Sequence, residues 1–524
     1  MSEGHNTLRV DLENLEKSNF QKQLHLPRDT EEDMISQFHR TFIKVLFSAQ
    51  VPQVLKRTEE GAGAYVYHAN PKFDFLKYIY MRTPLPAIEV KEKWVKTVQI
   101  CWPHNIGHNI STKTTHCFDD NPVQSFDPIS LDISSQFFAR SGAGKRTASK
   151  VNIGAIGLLE KWNSSLPRWV LNVNLPFSHG KHNTQATPLF MCSKSRVTYK
   201  SEFRLQIIEL LRMRVRDDPD KNKKWKWTEL DKVTTGYLNT EANIPIPQIW
   251  GRYAKITDAE KAAWMESPKS YYIEDMPAFQ AQNKYKYGED AKVLLSTTDP
   301  VKAILWVAQS VQAVKTRNFS NYTTNNKDHK KGWNPIMSFG LKYGSIVRVP
   351  DMPIDHFSRA EPSNQFPSAP DEEGYAGYAI SDNPNNFRSA ESGVTMPADL
   401  QCTAYFKIGD TNPFNFKTTD PLIAQKLDDD QDNTPLELRR HRHHRGNGSN
   451  GGNGSDGGGD DDDGGASSSK PYDEEDDDDN KFEVHVRLLT MKKITFNNAS
   501  DDGEIGKGVI TTSTSRDTMS PAYN

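Results

Sequence analysis

The sequence predicts an all-β protein built as two consecutive antiparallel sandwiches of the jelly-roll kind, with short helices and long loops. Three observations carry this. Short runs rich in Val, Ile, Phe, Tyr, Thr and Trp, bounded by Pro, Gly, Asn and Asp, recur along the chain, and such runs read as strands. Helical periodicity is rare and brief, which argues against alternating βαβ units. The strand-like runs fall into two series, and several connections within them, such as Ser310–Lys331 and Pro350–Glu373, are long. Long loops tying strands across two sheets suit a jelly roll.

The first series contains Ala64–His68, Trp94–Ile100, Trp169–Leu175 and Phe203–Ile208. The second contains Ala291–Leu295, Ile304–Val307, Ser345–Val349, Ala376–Ile380, Gln401–Ile408 and Phe482–Leu489. In Phe482–Leu488 apolar and polar residues alternate, the pattern of a half-buried strand with its polar side in solvent. Asp258–Met265 is the best helix: Thr257 or Asp258 can cap it, acids fill its first turn and Pro268 stops it. The charged stretch Asp217–Asp231 reads as a connector.

The expected organisation is an N-terminal arm at 1–35, a first jelly roll at 36–215, a connector at 216–240, a second jelly roll at 241–510 and a tail at 511–524. Residues 427–480 interrupt the second unit with a basic run, Arg439–Arg445, then Gly/Asn/Ser repeats, then the acidic blocks Asp460–Asp463 and Asp473–Asp479. Such low complexity cannot bury enough apolar surface to offset its ordering entropy, so a disordered loop is expected. It precedes a good strand, so it is an insertion and not a tail.

Composition bounds the rest. The 524 residues allow roughly two to four domains. Hydrophobic residues make up 35%, depressed by the polar tract, yet 24 Phe, 18 Tyr and 10 Trp suffice for sizeable cores. A formal net charge of −3 argues against a general nucleic-acid binder. There is no apolar run of about 18 residues, the length of a membrane-spanning helix. The polar, acid-containing start resembles neither a secretory nor a transit signal. Four dispersed cysteines, Cys101, Cys117, Cys192 and Cys402, make no disulfide framework and point to synthesis in a reducing compartment.

No motif signals catalysis. Ser141–Thr147 looks like a phosphate loop, but its first glycine position holds Ala139 and Arg146 follows the lysine, so a flexible basic loop is expected. Cys101, His104, His108, His116 and Cys117 are crowded, but Pro103 and Gly107 argue against one smooth helix presenting both His104 and His108. No Glu supplies the zinc-protease pattern. Ordinary polar positions are the preferred reading over a metal site. Within Arg439–Arg445, neutralisation of the neighbouring Asp blocks is preferred over binding of metal, nucleic acid or anionic surfaces. The sequons at Asn109, Asn163, Asn318, Asn321, Asn447, Asn453 and Asn498 read as chance in an Asn-rich chain. No catalytic residues, cofactor or metal ligands are assigned.

Several stretches, in order, resemble the double jelly-roll major capsid proteins of nucleocytoplasmic large DNA viruses. In the first half these are Lys93–Lys96 with Asn105–Ile110, then Gln124–Asp127, Leu171–Phe177 and Thr187–Phe190. In the second half they are Tyr253–Asp258 with Glu260, Lys261, Trp264 and Met265, then Tyr271–Glu274, Asp299–Gln309 and Gly377–Pro384 with Ser389–Gly393. Phe482–Phe496 stands where the family has its last strand. The chain departs from the family pattern at Val173-Asn174, at Asp299, which replaces a His, and at Thr395–Leu400, where the family has a different continuation.

The resemblance, which spans about 40–500, implies a fold and a role. Each half would be an eight-stranded antiparallel jelly roll. The chain would be a structural capsid protein and not an enzyme, forming a pseudo-hexagonal homotrimer that tiles an icosahedral virion shell. Implied partners are neighbouring capsomers, minor capsid and penton proteins and, indirectly, an internal membrane, with no specific nucleic acid. Synthesis and assembly in the host cytoplasm are implied. The tract 427–480 would project outwards. Rival readings are a minor capsid or assembly-scaffold protein of the same fold, and a β-sandwich carbohydrate-binding module. The last would need an aromatic platform on one face, whereas the aromatic residues are spread as cores require.

Overall fold

A computed structural model describes residues 45–58, 63–138, 143–182, 185–192, 196–216, 226–227, 235–239, 243–265, 269–387, 393–409, 481–496 and 510–513. The expected arm, the tract 427–480 with its His/Arg run, and residues 514–524 of the tail lie outside the described residues.

The main strands of the first half are β1 (Val45–Pro52), β2 (Ala64–His68), β3 (Phe75–Leu85), β4 (Ser111–Phe118), β5 (Asn121–Phe126), β6 (Trp169–Asn174), β7 (Val197–Phe203) and β8 (Gln248–Ile256). They form two antiparallel sheets, ordered β1-β8-β3-β6 and β2-β7-β4-β5. The second half supplies β9 (Lys269–Asp275), β10 (Asp290–Leu295), β11 (Thr297–Ser310), β12 (Ile336–Tyr343), β13 (Ile346–Pro353), β14 (Tyr375–Ala379), β15 (Cys402–Ile408) and β16 (Phe482–Phe496). Their sheets run β9-β16-β11-β14 and β10-β15-β12-β13. Lowering each second-half label by eight reproduces the first half. The chain is therefore two eight-stranded jelly rolls in tandem, a double jelly roll.

The pairing places one strand differently from the expected boundary at 241. Strand β8 is hydrogen-bonded between β1 and β3, with Val45 opposite Ile256 and Ile249 opposite Met81. It closes the first barrel. Its sequence neighbours belong to the second half, and a strand's apolar period does not say which sheet it joins.

Other elements also differ. The Trp94–Ile100 strand begins only at Val98, because Glu92–Trp94 form a 3-10 turn. The Phe203–Ile208 strand ends at Phe203, and Ile207–Leu210 turn helically. The expected basic loop at 141–147 enters a helix at Ala143 that continues to Ile153. A further helix, α1 (Pro128–Phe137), starts with Pro in its first turn and is capped by Asp127, whose carboxylate accepts from Ser130 N at 2.8 Å. The helix Asp258–Met265 is present as expected.

Burial shows how the barrels meet. Strand β10 alternates strictly, with Ala291, Val293 and Leu295 inside and its other residues exposed. Strand β11 does not alternate: from Pro300 to Ser310 every residue is buried. Its two faces join different cores. Ile304, Trp306 and Ala308 face the second barrel's interior, where Trp306 stacks on Phe339 at 4.2 Å between ring centroids. Ala303, Leu305 and Val307 pack with the first barrel's cluster. Likewise β16 gives Val484, Val486 and Leu488 to one core and Leu489, Ile494 and Phe496 to the other. The β9-β16-β11-β14 sheet is thus covered on both sides, and a doubly covered strand reads as a continuous apolar run.

Candidate functional site

A sheet covered on both faces must satisfy whatever polar groups it carries across the junction, because an unpaired buried charge is costly. Three clusters do this.

The first is centred on Arg487 of β16. Its Nε donates to Ser130 Oγ at 2.9 Å and its Nη2 pairs with Asp127, the cap of α1. One turn on, fully buried Asp132 accepts from Asn105 Nδ2 at 2.9 Å, from His108 Nδ1 at 2.6 Å and from Tyr322 OH at 2.8 Å. Tyr322 comes from the second half, within the long Ser310–Lys331 connection, whose first part, 310–323, is largely buried.

The second cluster holds Lys302, an ammonium-bearing side chain in the middle of β11. It reaches Glu274 of β9 and the Asn386 carbonyl, at 2.7 Å for the latter. Lys181 from the first half binds the other oxygen of Glu274. Burial lowers the Lys302 ammonium, against which Glu274 acts. Burial pushes the Glu274 carboxyl up, but Lys181 and Lys302 outweigh it and hold it below its usual value.

The third cluster surrounds His104. Its Nδ1 lies 2.7 Å from Glu160 and its Nε2 3.0 Å from Glu372. The His329 ring stacks on it at 4.0 Å. Lys330 binds Glu160 at 3.0 Å, and Lys150 binds both Glu372 and Asp371 at 3.0 Å. Burial disfavours a charged His104, but the Glu372 and Glu160 carboxylates outweigh burial and raise it to about 10. Glu160 is held down to about 2 against its own burial, chiefly by the His104 hydrogen bond. His329 is lowered to about 3 by burial and then by His104.

The crowded Cys/His group of the sequence is dispersed by the fold. His104 precedes a short helix, Ile106–Ile110, that carries His108, and the two histidines bind different carboxylates. His116, on β4, lies in the first barrel's core, stacked on Tyr199 at 4.8 Å between centroids and beside His179. Cys101 and Cys117 are buried free thiols, and burial raises the Cys101 thiol to about 12. The sequons at Asn109, Asn318 and Asn321 are buried, so no glycan fits there in the folded chain.

Sequence reasoning missed Asp127, Glu160, Lys302, His329, Glu372 and Arg487 as junction residues. One signal was present: a Lys or Arg inside an otherwise apolar strand. Tight backbone packing marks the same region. Gly374 has φ +96°, and a Cβ there would sit 2.2 Å from the Tyr322 carbonyl oxygen. Gly374→Ala should therefore cost about 2–3 kcal/mol, read as a lower urea midpoint with an unchanged slope. A loss below about 0.5 kcal/mol, the range of an ordinary surface change, would remove this contact from the account.

This architecture defines the double jelly-roll class of structural proteins. Residues 260–392 match the family model described as "Large eukaryotic DNA virus major capsid protein". The major capsid proteins of Wiseana iridescent virus and Tipula iridescent virus are each 22% identical to the chain, covering 66% of it and 73% and 76% of the relatives. Among solved structures, PBCV-1 VP54 superposes with a TM-score of 0.57 at 9% identity, covering 90% of this chain and 97% of that one. The Faustovirus major capsid protein gives 0.57 at 8% identity, covering 86% and 90%. The chain is thus similar to the major capsid proteins of large eukaryotic DNA viruses, the family its sequence resembles. The family match and these relatives support a structural capsid role.

Proposed function

We propose that the chain is the major subunit of an icosahedral shell, acting as a homotrimer of pseudo-hexagonal outline. The observation that carries this is the identical strand order of the two barrels. Two equivalent wedges per chain and three chains give six wedges around a ring closed by rotation. The charged clusters then fix the angle between wedges, so that each chain offers a rigid pair.

In this reading the first jelly roll runs from 45 to 256 and the second from 269 to 496, with 427–480 inserted before the last strand of the second. The tract leaves the barrel after β15, at the end where the family's outward loops lie, and it projects from the outer face of the shell. Its dense charge is cheap in solvent and costly if buried. Neighbouring capsomers, minor capsid proteins and penton proteins contact the barrel edges and loops, any membrane contact is indirect, and the subunit is made and assembled in the host cytoplasm. It performs no catalysis.

Light scattering on the purified chain, with micrographs of the same sample, tests the reading. The expected result is a stable trimer of hexagonal outline, with an antibody raised against 427–480 decorating one face. A monodisperse monomer that no particle incorporates as its most abundant protein would overturn it in favour of a minor capsid, scaffold or binding role.

A further inference from the structure

The His104 cluster contains more than an ion pair needs. The ligand atoms of His104, Glu160 and His329 lie within 4.8 Å of one another. His104 is 4% exposed, while Glu160 beside it and His329, on the short 3-10 turn His329–Lys331, are both partly exposed. Two imidazoles and one carboxylate form a nitrogen-rich donor set. That set suits zinc-class ions, whereas magnesium and calcium take oxygen. We propose that His104, His329 and Glu160 bind one divalent transition-metal ion of the zinc class, which clips the two barrels together.

The geometry fits this assignment in three respects. First, zinc bonds of about 2.0–2.2 Å place donor atoms roughly 3.3–3.5 Å apart. His104 Nδ1 and Glu160 are 2.7 Å apart in their hydrogen bond, so they open by roughly 0.6–0.8 Å as the metal replaces the shared proton, and His329 moves in on its surface turn. Second, only one imidazole nitrogen of His104 is needed for the metal. The other keeps a carboxylate partner, as metal-bound histidines commonly do. With the metal on the Glu160 side, that partner is Glu372, at 3.0 Å from Nε2. Third, the ligands bridge the halves. His104 and Glu160 belong to the first barrel and His329 and Glu372 to the second, so occupancy adds a coordinate link to the apolar packing and polar contacts that already join the barrels. Lys330 on Glu160 and Lys150 on Glu372 keep the empty site neutral enough to fold.

The assignment does not rest on the capsid reading and can fail while that reading stands. The test uses the full chain with His441→Asn, His443→Asn and His444→Asn, which removes the histidines of the tract 427–480 as competing ligands. After chelation and dialysis against zinc, the chain should retain about one equivalent more than two further variants, His329→Asn and Glu160→Gln. Cobalt in place of zinc should give the visible absorption of a low-coordinate His/carboxylate site in the parent and lose it in both variants. Zinc affinity should fall more than about tenfold in each. His329 sits on a surface turn, so His329→Asn keeps the fold, checked by an unchanged far-ultraviolet circular dichroism spectrum. Zinc uptake equal in parent and His329→Asn, or no uptake by either, overturns the proposal.

Discussion

Acidification from pH 7 to about 4.5 should remove on the order of 2–3 kcal/mol of stability from the first barrel through His116, with His179 adding in the same direction. His116 and His179 are buried side by side, and the contact of Gln124 with His116 offsets only a small part of the burial. Burial lowers His116 to about 3, and lowers His179 well below its usual value, with His116 adding to the latter. In the unfolded chain both titrate near 6.5. The native state is therefore short of protons below that pH. The stability these groups confer by staying neutral is complete above about 6.5 and declines by about 1.4 kcal/mol per pH unit per histidine towards the folded values. His485, lowered to about 4 by burial and then by Arg487, steepens the same fall. The carboxylates of the junction act lower, since Glu160 is ordinary in the unfolded chain and held to about 2 in the fold. Urea midpoints at several pH values, compared with a His116→Phe, His179→Phe variant, measure this. The variant should lose a slope of at least about one proton between pH 6.5 and 4.5. Equal slopes in both proteins would show that the pair does not govern acid sensitivity.

Asp127→Ala should destabilise the chain by about 3–5 kcal/mol. Arg487 is 2% exposed, and without Asp127 its guanidinium keeps only Ser130 Oγ and the Val486 carbonyl. An uncompensated charge then remains inside a doubly covered sheet. The same change removes the cap of α1, adding about 1 kcal/mol. The loss is specific to the junction, because Arg487 lies on the second barrel's β16 and Asp127 precedes α1 of the first. It should split a single urea transition into two, as the barrels lose their shared penalty for separating. Arg487→Met relieves the stranded charge, so the double variant should lose clearly less than the two single losses summed. A cost near 1 kcal/mol for Asp127→Ala would mean that Asp127 serves only as a cap.

The strands were largely legible and the junction was not. Local chemistry sets the first: β-branched and aromatic runs between turn residues make β6, β10, β15 and β16 readable. The second depends on what covers a face. Phe482–Leu488 looks half-buried because His485 and Arg487 alternate with valines, yet both are buried, since the first barrel lies against their side of the sheet. The same covering explains Lys302, which reads as a solvent position and has none. Strand β8 is not among the runs read as strands from their residues; only its end enters, through the family resemblance of Tyr253–Asp258, and nothing there says that it closes the first barrel. His104 drew attention for neighbours it does not use. Its working partners, Glu160, His329 and Glu372, are brought to it by loops far apart in the chain.

The place of β16 has a consequence for how the protein is made. The last main strand is not an edge: it pairs with β9 on one side and β11 on the other. Until Phe482–Phe496 leaves the ribosome, the second barrel has a slot open along its middle, and residues 410–480 delay the strand that fills it. A chain terminated early presents two raw strand edges instead of a finished wall, and such edges invite aggregation. Completion of synthesis is thus the condition for a closed second barrel, because a shortened chain lacks the strand that joins Lys269–Asp275 to Thr297–Ser310.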